Sequence, residues 1–298
     1  MKSVHFCLPV LALLLVFPLT LGGCSTLSGG KGVLQQQEAR PDSGTESSDQ
    51  QAEQIWQRFA TLAATAEVMS GPFRISANLR YTDPNGESGR VSALLWGNGS
   101  SDTPYPLRLD LTAGVGTVIS KIREDSTSLL AYTPSENTAY IQEGARRNLA
   151  SLGVPVPMTL GELTLLLSGR AGQLFLPAGA QAIALPPYHG LTAESVSFAL
   201  PSAQLPGILE LSSLGIPVSW KEAREKGWVM VMEPSEANPL QPRRLKISHP
   251  SGYSAIIVVN DISRVSPPYN AAQMTLVLPP GTKQEALQDE ADSVNRPS

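Results

Sequence analysis

One thiol stands where its surroundings invite chemistry. Cys24 follows Leu21-Gly22-Gly23, at the end of an almost wholly apolar run that begins at Phe6 and is interrupted by Pro9 and Pro18. Lys2 places a positive charge before the run. A spanning helix needs roughly 20 apolar residues, more than this run supplies. A charged start, a short apolar centre and small residues at its close describe a removable secretory signal over residues 1–23, ending just before Cys24. Cys7 is the other cysteine and lies within the signal. The mature chain therefore has no pair for an internal disulfide and no thiolates for a metal site.

Other chemistry-bearing residues lack partners at useful spacing. His189 sits in a Pro-Pro-Tyr-His-Gly loop and His249 precedes Pro250, far apart in sequence. Both read as turn residues. Ser168 and Ser195 have no nucleophile-elbow context. Gly114-Val115-Gly116 is too short for a dinucleotide loop and has no strand–helix frame. Asp83, Glu87 and Asp102 fall near turns and read as solvated. Asn98-Gly99-Ser100 is a formal glycosylation triplet, discounted on the lipoprotein-signal resemblance described below. These patterns predict a protein that is not an enzyme, with no cofactor and no metal.

The elements that must position any site follow the leader. Residues 25–48 are rich in Ser, Gly, Gln and acids without an apolar period, and read as a flexible tether. From Asp49 to Ser70 the spacing of Ile55, Phe59, Leu62, Ala63, Ala66 and Met69 predicts a helix, with Ser48 and Gln51 as a capping box and Gly71-Pro72 as its stop. The period then switches to two. Strands are predicted near 75–81, 91–96, 107–111, 118–123, 129–132 and 138–141, joined by turns such as Asp83-Pro84-Asn85-Gly86. Short helices are predicted over 144–152 and 159–168, the second with Thr159 and Glu162 as a capping box and Gly169 as its end. Residues 170–218 are rich in Pro, Gly, Ala and Leu, with strands expected near 195–200 and 208–211. Strands resume at 217–223, 228–233, 244–248, 253–262 and 274–278, and the last twenty residues read as polar and frayed. Short strands with one apolar face and tight turns make an antiparallel meander.

Composition agrees with a globular domain. Of 298 residues 42% are hydrophobic, and 22 basic residues stand against 26 acidic ones. No basic block exists, so nucleic acid is excluded as an expected partner.

Leu21-Gly22-Gly23-Cys24 resembles the bacterial lipoprotein signal. The resemblance implies a diacylglyceryl group on the Cys24 thiol, cleavage before Cys24 and acylation of the new amine. Each buried methylene contributes ~0.8 kcal/mol, so two or three acyl chains hold a protein stably on a membrane. Ser25, where Asp would retain the protein at the inner membrane in the enteric pathway, points to the outer membrane, facing the periplasm.

The order of helix, meander, mid-chain helices and second meander resembles the LolA/LolB superfamily of lipoprotein carriers, and within it the LolB receptors. Ser88-Gly89-Arg90-Val91 leading to Leu95-Trp96, Leu107-Arg108-Leu109-Asp110-Leu111, Val154-Pro155-Val156-Pro157 before the Leu-rich helix, Arg244-Leu245-Lys246-Ile247 and Met274-Thr275-Leu276-Val277-Leu278-Pro279 carry the likeness, over roughly residues 53–280.

This resemblance implies a mainly β fold with α: an unclosed antiparallel β half-barrel of about eleven strands with helices covering the concave face. The domain would run over 49–280 and a polar tail over 281–298. It further implies an apolar cavity for the acyl chains of lipoproteins, expected to be lined by Ile75, Leu79, Leu95, Trp96, Leu109, Leu163 and Trp228. Val115, flanked by Gly114 and Gly116, matches the exposed apolar residue with which LolB receptors pass lipid to the membrane, although that residue is typically a larger Leu. The implied partners are lipoprotein acyl chains, the membrane through the N-terminal anchor, and a periplasmic LolA-like carrier. The alternative is an envelope sensor or scaffold on the same fold. Residues 170–218 exceed what a LolB receptor needs.

Overall fold

The computed structural model describes residues 43–65, 71–99, 104–144, 147–176, 183–184 and 195–287. Cys24, Ala66, Met69, Asp102 and His189 lie outside these residues, as do the signal and most of the tether.

Helix α1 (Ser43–Thr65) opens the described chain. It starts within the stretch read as tether, so Ser48 is inside the helix and does not cap it. Its apolar stripe falls as the spacing requires, with Ile55 and Phe59 buried and Leu62 and Ala63 packed at the margin.

Six strands follow as a meander: β1 (Phe73–Thr82), β2 (Ser88–Gly97), β3 (Leu107–Ala113), β4 (Thr117–Glu124), β5 (Ser128–Thr133) and β6 (Thr138–Glu143). The β1–β2 turn is held by the Asp83 carboxylate, which accepts from the backbone N–H groups of Asn85 at 2.9 Å and Glu87 at 2.8 Å. Gly86 adopts φ 82°, a conformation costly for other residues.

The chain then crosses under the sheet. A single 3-10 turn at Leu149–Leu152, capped by Asn148, replaces the longer helix expected over 144–152. Helix α2 (Leu160–Leu167) has the expected box, with Thr159 Oγ1 accepting from Glu162 N and Glu162 Oε2 accepting from Thr159 N. Gly169 follows it at φ 79°. Helix α3 (Ala171–Phe175) comes next. A Cβ placed on Gly172 would lie 2.6 Å from Ala63 Cβ, so α3 meets α1 only because one side chain is missing.

The second meander is β7 (Ile183–Ala184), β8 (Ser195–Leu200), β9 (Gly207–Ser212), β10 (Pro217–Glu222), β11 (Val229–Pro234), β12 (Pro242–Ser248) and β13 (Ser254–Arg264). Strands β1 and β13 pair along their length and join the two meanders into one open sheet. A bulge at Asn260, opposite Ser76 and Ala77, bends this central pair.

Two expectations near the C-terminal end are corrected. Residues 274–278 are not a strand. Met274 ends helix α4 (Ala271–Met274), capped reciprocally by Asn270 and Gln273. Thr275 O accepts from Arg108 Nη1 at 2.7 Å, and Leu276 is buried with Tyr132 and Ala139. The polar stretch beyond is ordered in part as β14 (Lys283–Ala286), which pairs in parallel with β6. The described sheet therefore has 14 strands where about eleven were expected, and it is mixed because of β14. The unclosed mainly β architecture with helices on one face is the one the resemblance implies.

Candidate functional site

Alternation along each strand divides the sheet into two faces. One register row crosses six strands on the inner face: Ile262, Ile75, Leu95, Leu109, Ile122 and Ala131. Leu79 and Val91 continue the same face toward the β1–β2 turn. Helices α1, α2 and α3 lie over it, with Ile55, Phe59, Leu160, Leu163, Leu166 and Phe175 in the same apolar cluster.

Of the residues expected to line a cavity, Ile75, Leu79, Leu95, Leu109 and Leu163 come together here and are all buried. Trp228 is half-buried at the margin, its ring centroid 4.9 Å from that of His249 and 6.2 Å from that of Tyr253. Trp96 does not join them, which corrects the expectation. It neighbours Leu95 on the strand and so faces outward, where Arg108 sits 5.2 Å from its ring centroid and Tyr269 packs at 6.5 Å. Two surface clefts, about 480 Å³ and about 720 Å³, are lined by other residues.

A charged group interrupts the inner face next to this row. Glu124 follows Ile122 at the same parity on β4 and is 0% exposed. Its Oε1 accepts from Tyr105 Oη at 3.1 Å and lies 3.2 Å from Arg147 Nε, and its Oε2 accepts from Gly161 N at 3.1 Å. Arg147 Nη1 also donates to Gly144 O at 2.6 Å. Burial pushes the Glu124 carboxyl up to about 7, against the opposing pull of Arg147 and the hydrogen bonds from Tyr105 and Gly161. Burial and the Glu124 charge push the Tyr105 phenol up to about 12. Glu162 in the capping box is raised too, again by burial. This node ties β4 to the start of α2. Sequence reading missed it, although a Glu one residue beyond the strand expected over 118–123, at its inward parity, was a visible signal; Arg147 and Tyr105 gave none.

The expected transfer loop occupies a rim of the sheet. Gly114 and Gly116 take φ 54° and 86°, and the Val115 side chain between them is 106% exposed. Such a fully exposed valine at a tip makes no contribution to the core. The β1–β2, β3–β4 and β12–β13 turns share this rim, and a Cβ on Gly252 would come 3.1 Å from Pro84 Cα.

The remaining candidates are structural. His249 Nδ1 contacts Ser251 Oγ at 2.7 Å and accepts from Ser251 N at 3.2 Å within its turn. Ser168 Oγ donates to Leu165 O, and Ser195 donates to Glu210, which also accepts from Ser219 Oγ at 2.7 Å. Asn98 brackets Tyr269, donating to its O at 2.6 Å and accepting from its N at 2.9 Å. Among the described residues no three His, Cys, Asp or Glu side chains gather to hold a metal ion.

No protein-family model and no curated protein matches the chain. Solved structures to which it is similar include a LolA superfamily protein from Nitrosomonas europaea, 11% identical, covering 73% of this chain and 94% of that one at a TM-score of 0.45. A putative outer membrane lipoprotein-sorting protein domain from Vibrio parahaemolyticus is 9% identical over 75% of this chain and 97% of that one, at 0.46. A DUF1329 family protein from Desulfovibrio piger is 11% identical over 75% and 96%, at 0.39. At these identities and scores the chain is not assigned to a family.

Proposed function

We propose that this chain is a lipid-anchored carrier that takes up the acyl chains of lipoproteins between its sheet and helices and passes them to the outer membrane. The observation that carries the reading is Val115: an apolar side chain held fully in solvent by two left-handed glycines, on the rim of a sheet whose inner face is largely apolar. An acyl chain of about 15 methylenes gains roughly 12 kcal/mol in a bilayer or in a dry apolar slot alike. Transfer between the two is then near balance and needs no bond made or broken. Helices α1–α3 must loosen to admit the chain, and the Glu124 node is the fastening that limits how far α2 moves.

The dense burial of Ile75, Leu79, Leu95, Leu109 and Leu163 under those helices favours the second reading, an envelope scaffold with a filled interior. Lipopeptide binding separates the two. The mature chain carrying Cys24→Ser should bind a triacylated peptide and not the bare peptide. The Val115→Glu form should still bind but fail to deliver the lipopeptide to liposomes. No uptake by either form would leave the scaffold reading in place.

A further inference from the structure

Strand register sets two arginines side by side on the outer face at the Val115 rim. Arg80 on β1 is directly opposite Arg90 on β2, and both are exposed. Like charges in directly opposed positions of an antiparallel pair are destabilising. No ion pair or hydrogen bond joins either guanidinium to another described residue. By contrast Lys246, one strand beyond Ile256 in the same row, is bound by Glu233 at 2.7 Å. Of the two acids of the adjoining turn, Asp83 already accepts two backbone N–H groups, and Glu87 is exposed and forms no ion pair with either arginine.

The space around the pair is a cleft of about 480 Å³. Thr82, Ser88 and Ser254 add hydroxyls to the two guanidinium groups along it, and Ile256 forms part of its wall. The polar part of its outer-face lining is thus two cations and three hydroxyls, without a carboxylate. Register also fixes how it stands to the loop tip. Ser92 pairs with Thr112, so Arg90, two residues before Ser92, is level with Gly114, two residues after Thr112.

We propose that Arg80 and Arg90 form a phosphate-binding site for the headgroups of anionic phospholipids, engaged when Val115 enters the bilayer. This rests on the membrane-contact reading of Val115. A planar guanidinium matches phosphate oxygens in a two-pronged geometry and stays charged at any pH of interest. Lipid phosphate is chosen as the source over free phosphate because the site shares its rim with an exposed apolar tip, so both arrive at a membrane surface together. The pair gives the rim a preference for anionic bilayers, about fivefold in affinity for each basic residue near the surface.

Vesicle sedimentation tests this with the mature chain carrying Cys24→Ser, on phosphatidylcholine alone and on phosphatidylcholine mixed with phosphatidylglycerol. The anionic vesicles should bind at least about tenfold more tightly. Arg80→Gln with Arg90→Gln should abolish that difference while leaving lipopeptide uptake and binding to neutral vesicles unchanged. Retention of the preference in the double variant overturns the site and leaves the carrier reading standing. Loss of lipopeptide uptake in the unmodified protein, with the arginine-dependent preference intact, does the reverse. Binding to neither vesicle overturns the site. If millimolar inorganic phosphate displaces the protein from anionic vesicles while chloride at equal ionic strength does not, the cleft is a free-phosphate site and the lipid assignment fails.

Discussion

The backbone N–H of Gly161 donates to the Glu124 carboxylate across 3.1 Å, fastening the first turn of α2 to the last residue of β4. The orphan N–H groups of a helix start and their positive field favour an anion there. Here the anion comes from the sheet, so a single carboxylate holds a covering helix to the face it covers.

That arrangement carries a pH dependence. Burial raises Glu124 from 4.5 to about 7, so the folded protein binds its proton more tightly than the unfolded chain does. The stability this gives is fully present below about pH 4.5 and is lost as pH rises through about 7, roughly 3 kcal/mol in all. Urea midpoints should fall over that range, and Glu124→Gln should flatten the fall. Glu162, raised in the same direction, leaves a residual slope. An unchanged profile in Glu124→Gln would show that the carboxylate is solvated.

Arg147 is the only basic residue in this node among the described residues. Arg147→Ala should cost about 1–2 kcal/mol at pH 6, where Glu124 is already protonated and only hydrogen bonds are lost, and about 3–5 kcal/mol above about pH 8, where the buried carboxylate is left uncompensated. The loss should therefore grow as pH rises through about 7. Replacing Glu124 and Arg147 together by Leu and Met should cost less than Arg147→Ala alone, as read by denaturant melts.

Position 115 behaves oppositely. Val115→Glu changes no buried contact, and its melting midpoint should stay within about 0.5 kcal/mol of the parent. Any defect in lipid delivery is then a surface effect. A large loss of stability would mean that the tip packs against the protein in solution.

Adjacent positions on the two faces make a paired test. Leu109→Ala removes a side chain from the inner row and should cost about 2–5 kcal/mol, with altered lipopeptide uptake. Trp96→Ala removes the ring beneath Arg108 on the outer face, an interaction of about 0.5–2 kcal/mol, and should leave uptake unchanged. Uptake that followed Trp96 and ignored Leu109 would place the acyl chain on the wrong side of the sheet for the carrier reading.

Close backbone approach predicts a further sensitive position. A Cβ on Gly207 would lie 2.3 Å from Lys221 O and 2.6 Å from Trp220 Nε1, so Gly207→Ala forces β9 from β10. A loss of at least about 1–3 kcal/mol is expected in the urea midpoint. A neutral result would mean the two strands have slack there.

The strands were legible because their period is two and their turns carry Asp, Gly and Pro at fixed offsets. The α2 capping box was legible because Thr159 and Glu162 satisfy each other locally. What escaped was non-local. Leu95 and Trp96 are equally apolar, and only the identity of the covered face tells which is inside. Residues 274–278 alternate like a strand, yet their partners are the side chains of Arg108 and Tyr132 rather than a ladder. Arg80 and Arg90 are ten residues apart and become neighbours through a ten-residue hairpin register.

Lys283–Ala286 runs alongside Thr138–Ile141 and fills the hydrogen-bonding side of β6. The molecule thereby acts as its own donor strand, masking a template on which other copies would otherwise stack. A protease that nicked the link between Pro279 and Lys283 would unmask it. Such a cut removes no part of the inner face, yet it would leave the six-residue β6 as an edge open to pairing.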